Sequence, residues 1–269
     1  MEYKVLAFDI DGTLTNSKKI ITKNTKEAIF KAADKGCKIL IASGRPVKGL
    51  VDYAQELNLK EHNGYILSLN GGLIISCSDN KVIYDKKIPL EYNAEICDLA
   101  KKHSVNLLTY EGDTVISEDT DDKYLNIETG ICKLGKKRVD NLKEYLTFEV
   151  NKYLMTGDGG YLAEVEKDVY EKLHDRMDVY RSEPFFLEIL PKNVNKAESL
   201  EQLLKILGIK REELMAFGDG YNDVSMIKYA GFGVAMGNAK DVVKENADYI
   251  APSNDEDGIV EVLNKFVLD

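Results

Sequence analysis

The chain has 269 residues, of which 44% are hydrophobic and 30% are charged, a composition typical of soluble globular proteins. Its net charge of −10 argues against a protein that binds the phosphate backbone of nucleic acids. The four cysteines form no C-x-x-C pair, and no apolar run approaches the roughly 18 residues of a membrane span. We therefore expect a soluble cytoplasmic protein that binds neither nucleic acid nor membranes.

The N-terminal part alternates between strand-like and helix-like segments. Buried strands are predicted for the apolar runs at 3–8, 37–42 and 65–70. A helix is expected to end at Gly36, and it begins near Asn24, which with Glu27 resembles a capping box. A second helix is expected to start at Pro46, and an Asn-Gly-Gly turn follows the third strand at 70–72. This alternation predicts a parallel sheet with helices on its faces.

The C-terminal part has the same character, whereas the middle does not. Helices are predicted at 196–208, 221–230, 239–246 and 257–267, and strands at 214–217, 231–236 and 247–251. Between about Lys81 and Phe186 the segments carry more charge and alternate in polarity, as in a sheet with one open face. We therefore predict an α/β core of residues 1–82 and 187–269, interrupted by an inserted α+β domain of residues 83–186.

Four short polar stretches follow predicted core strands or begin a helix. They are Asp9 to Thr13, Ser43-Gly44, Lys196, and Gly218 to Asp223. Ligands of open parallel sheets bind beyond the carboxyl ends of the strands, so we expect all four stretches to meet in one cleft.

The residue types in these stretches indicate a metal ion and a phosphoryl group. The carboxylates of Asp9, Asp11 and Asp219, with Asp223 as a further candidate, would repel one another unless a hard cation such as Mg²⁺ neutralised them. A nearby lysine, serine and asparagine would suit phosphate oxygens, and an aspartate can act as the nucleophile of phosphoryl transfer.

Each stretch also has an ordinary structural interpretation. Asp-Gly is a common turn, serine a common helix N-cap, and a single lysine is mostly a solvated charge. Asn222 and Asp223 could equally cap a helix. The functional interpretation is favoured because all four stretches occur together, each in its expected place beside a strand or helix.

In order and spacing the four stretches resemble the motifs of the haloacid dehalogenase (HAD) superfamily of phosphotransferases. The D-x-D-G-T motif matches Asp9 to Thr13, and the later motifs match Ser43, Lys196 and the G-D-x-x-N-D stretch from Gly218. Ser43 and Lys196 are 153 positions apart, which leaves room for the inserted cap of the Cof-type subfamily. The C-terminal segment is similar to sugar-phosphate phosphatases of the YidA type. The one local departure is Ala197, where many relatives have glycine.

The resemblance implies a Rossmann-like core with a C2-type cap, and it implies roles for individual residues. Asp9 would be the nucleophile and Asp11 the general acid and base. Mg²⁺ would be bound by the Asp9 and Asp219 carboxylates and the Asp11 backbone carbonyl. The phosphoryl-binding residues would be Ile10, Ser43, Gly44, Lys196 and Asn222, and the supporting residues would be Gly12, Thr13 and Asp223.

The expected activity is Mg²⁺-dependent hydrolysis of small phosphorylated metabolites, with sugar phosphates favoured. One alternative is a phosphosugar mutase, for which Arg138, Arg176 and Arg181 of the inserted domain are candidates for binding a second phosphate. A non-catalytic sensor of phosphorylated ligands is the other alternative, and the intact motifs argue against it. The sequence carries no signal for the oligomeric state.

Overall fold

A computed structural model describes residues 3–269, which form the following strands and helices. The strands are β1 (Val5–Asp9), β2 (Lys38–Ala42), β3 (Tyr65–Ser68), β4 (Leu73–Ser76), β5 (Val82–Asp85), β6 (Asn106–Glu111), β7 (Thr114–Ser117), β8 (Gly135–Arg138), β9 (Tyr153–Thr156), β10 (Met177–Glu183), β11 (Phe186–Pro191), β12 (Leu214–Gly218), β13 (Phe232–Ala235) and β14 (Tyr249–Ile250). The helices are α1 (Lys23–Asp34), α2 (Val51–Glu56), α3 (Asn93–Lys102), α4 (Lys123–Cys132), α5 (Leu142–Tyr145), α6 (Gly159–Leu173), α7 (Lys196–Leu207), α8 (Val224–Tyr229), α9 (Asp241–Lys244) and α10 (Gly258–Leu263).

The chain divides into two compact units. Unit 1 comprises the chain up to Gly44 together with Leu50–Tyr84 and Asn195–Asp269, and unit 2 comprises Arg45–Gly49 and Asp85–Val194. Each unit has its own sheet, and each sheet has its own clusters of buried apolar side chains.

The sheet of unit 1 has the strand order β14-β13-β12-β1-β2-β3-β4-β5. Its strands from β14 to β3 pair in parallel, and β4 continues the sheet antiparallel to β3. The predicted α/β class with a parallel sheet is confirmed. Strands β4 and β5 were not predicted from the sequence, and they extend the sheet beyond the predicted strands.

Both faces of this sheet are covered by helices, as the unbroken apolar character of β1 requires. Leu6 and Phe8 pack into a cluster with residues of α1 and α10, whereas Val5 and Ala7 pack into a second cluster with residues of α7 and α8. Because successive side chains of a strand point to opposite faces, this division places β1 in the middle of a three-layer arrangement.

Several element boundaries differ from those expected. Helix α1 begins one residue before Asn24, because the Thr22 side chain accepts a hydrogen bond from the Thr25 N–H and so caps the helix. A 3₁₀ turn at Val47–Leu50 stands between Pro46 and α2, and another at Tyr221–Asp223 precedes α8. Near the C-terminus, α10 continues into a π-helical turn at Asn264–Leu268.

The sheet of unit 2 has the strand order β10-β11-β9-β6-β7-β8 and is antiparallel except for the pair β7–β8. Helices α3, α5 and α6 contribute to one buried cluster, and α4 contributes to another. Strand β8 at one edge carries Lys136, Lys137 and Arg138, all exposed, and such charges protect an edge against pairing with other chains.

The boundaries between the units lie later than the predicted positions after residues 82 and 186. The first falls between Tyr84 and Asp85, and the second between Val194 and Asn195. The shift of the second boundary has a clear cause, because Phe186–Pro191 forms β11, which pairs with β9 and β10 of unit 2. The segment Arg45–Gly49, expected in the core, also groups with unit 2.

None of the helices within residues 3–269 is both long and apolar enough to cross a membrane. The four cysteines, Cys37, Cys77, Cys97 and Cys132, form no disulfide in the structure.

Candidate active site

The four motif stretches meet where three neighbouring strands of unit 1 end. Strand β1 pairs in parallel with β2 on one side and β12 on the other. Asp9 is the last residue of β1, Ser43 follows β2 directly, and Gly218 ends β12. The predicted convergence of these stretches at the carboxyl edge of the sheet is therefore what the structure shows.

Lys196 connects the stretches at this edge. It is the first residue of α7, it is completely buried, and its ammonium group donates to three oxygens. These are Oδ1 of Asp9 at 2.6 Å, Oδ1 of Asp223 at 2.6 Å and the backbone carbonyl of Ala42 at 2.9 Å. All three donors of the ammonium group thus have acceptors in the protein. Burial acts to lower the pKa of Lys196, but the carboxylates of Asp223 and Asp9 outweigh it and raise the pKa above its usual value.

The Asp9 carboxyl group is almost fully enclosed, with 6% of the residue exposed. Burial, followed by the nearby Asp223 carboxylate, raises its pKa to about 8, although Lys196 acts in the opposite direction. A further positive charge beside Asp9, in addition to that of Lys196, would therefore stabilise its anionic form.

Asp223 organises the loop that follows β12. Its Oδ1 accepts from Lys196, and its Oδ2 accepts from the backbone N–H groups of Asp219 at 3.0 Å and Gly220 at 2.8 Å. A Cβ atom on Gly218 would lie 2.5 Å from the Cβ of Asp223, so this close approach requires a glycine. Both Asp223 oxygens thus serve the protein itself.

Asp219 is held against the loop that follows β1. The Thr13 hydroxyl donates to Asp219 Oδ1 at 2.7 Å. Gly12 has a φ of +86°, and a Cβ atom there would lie 2.4 Å from Asp219 Oδ2. Burial raises the pKa of Asp219 to about 6, against the lowering effect of the Thr13 hydrogen bond. Gly12 and Thr13 therefore set where this carboxylate lies.

The acidic side chains are close enough to hold a metal ion. Oxygens of Asp9, Asp219 and Asp223 lie within 4.8 Å of one another. The Asp11 side chain is not in this group, and its Oδ1 instead lies 2.8 Å from Nζ of Lys19. Three carboxylates beside one ammonium group leave two negative charges, and an all-oxygen donor set with that charge fits a hard divalent cation such as Mg²⁺.

The predicted phosphoryl-binding residues lie around the same strand ends. Ser43 is buried, and Asn222 is exposed in the middle of the 3₁₀ turn before α8. The Asn222 Nδ2 group donates to Oδ1 of Asn70 at 3.1 Å, and the Asn70 N–H donates to the Ser43 carbonyl at 3.0 Å. The sequence predicts Asn70 only as part of a turn, but in the structure Asn70 lies among these residues.

Comparisons with known proteins agree with this geometry. A family model of haloacid dehalogenase-like hydrolases matches residues 6–263. The phosphoglycolate phosphatase of Methanobrevibacter smithii is 32% identical, with all of both chains covered. A haloacid dehalogenase-like hydrolase from Bacteroides thetaiotaomicron is 42% identical, with a TM-score of 0.92 over 98% of this chain and 99% of its own. The sugar phosphatase BT4131 of HAD subclass IIB is 31% identical, with a TM-score of 0.82 over 99% of this chain and 100% of its own.

The fold and the strand-end carboxylates define a phosphoryl-transfer enzyme of the α/β class. The chain belongs to the haloacid dehalogenase-like hydrolases, as its motifs predicted. Within that family it is a phosphatase, like the enzymes to which it is similar over its whole length.

Proposed function

We propose that this protein is a Mg²⁺-dependent phosphatase that hydrolyses small phosphomonoesters through an aspartyl-phosphate on Asp9. The observation that carries the proposal is the Lys196 ammonium group, which lies 2.6 Å from both Asp9 and Asp223 at the end of β1. This ammonium group holds the Asp9 carboxylate in place and favours its anionic form, at the same edge of the sheet as the other motif residues.

Two carboxylates divide the chemistry. An oxygen of Asp9 attacks phosphorus, a P–O bond forms to the enzyme, and the ester P–O bond breaks as Asp11 protonates the departing alcohol. Asp11 then removes a proton from water, whose oxygen attacks the aspartyl-phosphate and releases inorganic phosphate and free Asp9. Lys196 neutralises Asp9 and Asp223, and its contact with a phosphoryl oxygen would require exchange of one of its three present hydrogen bonds.

The Asp9 and Asp219 carboxylates and the Asp11 backbone carbonyl would hold Mg²⁺, which when bound neutralises charge on the phosphoryl oxygens. Thr13 fixes Asp219 for this role through its hydroxyl group. Ser43, Asn222 and the backbone N–H groups near Ile10 and Gly44 would bind the phosphoryl oxygens. Asp223 holds Lys196 and the loop after β12 in place.

We propose that sugar phosphates are the substrates and that unit 2 is the cap domain that selects the leaving group. Similarity to the sugar phosphatase BT4131 supports this class, although another similar protein is a phosphoglycolate phosphatase. A cytoplasmic location stays a prediction from composition.

The contacts of two of the three candidate arginines, Arg176 and Arg181, favour a phosphatase over the alternative mutase, whereas the third, Arg138, is exposed on β8. Arg176 donates to both carboxylate oxygens of Glu95, at 2.9 and 3.1 Å, and Arg181 donates to Glu166 at 2.7 Å. Both guanidinium groups are therefore engaged within unit 2 instead of being available for a second phosphate.

The test is the release of inorganic phosphate from p-nitrophenyl phosphate and from an alkyl or sugar phosphate. We expect EDTA to abolish turnover, Mg²⁺ to restore it, and Asp9→Asn to lower kcat by about 10⁴-fold or more, as removal of a nucleophile does. The exposed Asp34→Asn on α1 is the matched control. Turnover by Asp9→Asn at the rate of this control would refute the assignment.

A second comparison isolates the role of Asp11. An alkoxide is a poor leaving group that needs a proton, whereas p-nitrophenolate departs readily without one. Asp11→Asn should therefore slow the alkyl phosphate by about 10²–10⁴-fold and p-nitrophenyl phosphate much less. Equal losses on both substrates would assign Asp11 to some role other than protonating the leaving group.

A further inference from the structure

The turn that follows β3 contains two consecutive left-handed residues that are not glycine. Leu69 has a φ of +53° and Asn70 a φ of +55°. Both are more than nine-tenths buried, with 4% and 7% of their surface exposed. Such conformations cost roughly 1–3 kcal/mol each and persist where surrounding contacts impose them, often at functional sites.

The contacts of Asn70 explain why it is there. Its N–H donates to the Ser43 carbonyl at 3.0 Å, and its Oδ1 accepts from Nδ2 of Asn222 at 3.1 Å. Its amide also lies against Gly44, where a Cβ atom would be 3.0 Å from Oδ1 and 3.2 Å from Nδ2. The Asn70 side chain thus contacts two of the residues proposed to bind the phosphoryl group, Asn222 and Gly44, and its backbone N–H contacts a third, Ser43.

We propose that Asn70 is a positioning residue of the phosphoryl-binding site, an inference that rests on the proposed function. A side-chain amide has two N–H donors, and accepting one of them from Asn222 fixes the direction of the other. Asn70 thereby orients the Asn222 donor and, by packing on Gly44, the backbone that follows Ser43.

The residue type fits this role. Asparagine tolerates the left-handed conformation better than most side chains and supplies a neutral acceptor oxygen. Aspartate would supply the same oxygen, but with a negative charge beside a phosphoryl anion. Glycine would accept the backbone conformation without supplying any acceptor.

The experiment is a titration of inorganic phosphate into the Mg²⁺-loaded protein, followed by isothermal calorimetry. The variants are Asn70→Gly, Asn222→Ala and the double variant, with Asn80→Gly as the matched control. Asn80 is also left-handed, with a φ of +57°, but lies in an exposed turn between β4 and β5. Because glycine adopts the left-handed backbone without strain, we expect Asn70→Gly to fold as the wild type does.

We expect Asn70→Gly and Asn222→Ala each to raise the Kd for phosphate about tenfold, and the double variant to bind no more weakly than either. Asn70→Asp, which retains the acceptor oxygen, should bind phosphate more weakly than Asn70→Gly because of its charge. A wild-type Kd in Asn70→Gly would overturn the inference, as would multiplicative losses in the double variant or a wild-type protein that does not bind phosphate.

Phosphate binding is measured without turnover, so the two proposals fail separately. A wild-type protein that binds phosphate but releases none from any phosphomonoester would refute the proposed function. The comparison of Asn70→Gly with Asn80→Gly would still decide the role of Asn70.

Discussion

Replacing Lys196 with methionine should destabilise unit 1 strongly. Methionine has a similar length but no hydrogen-bond donors. Asp9, Asp223 and the Ala42 carbonyl would therefore each lose a hydrogen bond. Lys196 is completely buried, so water has no access to its position. Removing one partner of a buried ion pair costs about 3–5 kcal/mol, and an orphaned buried carbonyl adds about 1–3 kcal/mol. The expected loss is therefore about 4 kcal/mol or more of the free energy of unfolding, a large part of the stability of an ordinary domain.

The matched control lies on the same helix. Lys205 of α7 is 62% exposed in its side chain and pairs with Glu201 at 3.0 Å, and such exposed pairs contribute about 0.5 kcal/mol or less. Urea titrations of Lys196→Met and Lys205→Met can be followed by far-ultraviolet circular dichroism, since the chain has no tryptophan. If Lys196→Met unfolded within about 1 kcal/mol of Lys205→Met, the burial argument for Lys196 would be wrong.

Three further predictions concern other parts of the molecule. Gly12→Ala should lower kcat by about 10²-fold or more in the phosphatase assay. The added Cβ would lie 2.4 Å from Oδ2 of Asp219 and would displace this carboxylate. An unchanged kcat would contradict this prediction. Hydrogen bonds from Lys102, and to a smaller extent from His103, lower the pKa of Asp168 to about 2. These contacts therefore stabilise unit 2 fully at pH values above the unfolded pKa of about 3.9, and the stabilisation is lost as the pH falls toward 2. The Tm of Asp168→Asn should accordingly lie below that of the wild type at pH 7, with a gap that narrows below pH 4. Lys152→Met should lower the free energy of unfolding by about 3–5 kcal/mol because it leaves Glu188 buried and unpaired, whereas the double variant with Glu188→Leu should recover most of that loss in urea titrations.

The clustered carboxylates Asp9 and Asp219 could be predicted from the sequence because each lies at the end of an apolar strand. An apolar strand ends at Asp9, and a second ends just before Asp219, so the parallel-sheet rule alone brings them to one edge. The position of Lys196 followed from the resemblance. Its burial and its three hydrogen bonds could not be read from the chain, because a lysine at a helix start is usually solvated.

The contacts of Asn70 with the motif residues were not predicted, for a different physical reason. The dipeptide Asn-Gly is a turn signal, and a turn does form there, so the sequence pattern was already explained. Its second role depends on contacts with Asn222, 152 residues away, and with the segment after β2. The late boundary of unit 2 was missed similarly, because the apolar run of β11 fits either sheet until its pairing partners are known.

The hydrogen bonds of the three clustered carboxylates separate their functions. Asp223 receives one donor on Oδ1 and two on Oδ2, so its oxygens are already used by the protein. Asp9 and Asp219 each accept a hydrogen bond on Oδ1 alone, and the described residues provide no hydrogen bond to either Oδ2. A carboxylate with one oxygen fixed and the other without a protein donor is held in direction while it remains able to bind a cation or, for Asp9, to attack phosphorus. By proximity alone, the three carboxylates would be equivalent as metal ligands. Their hydrogen bonds favour Asp9 and Asp219 as the metal ligands, and they favour Asp223 as the residue that holds Lys196 and the loop after β12 in place.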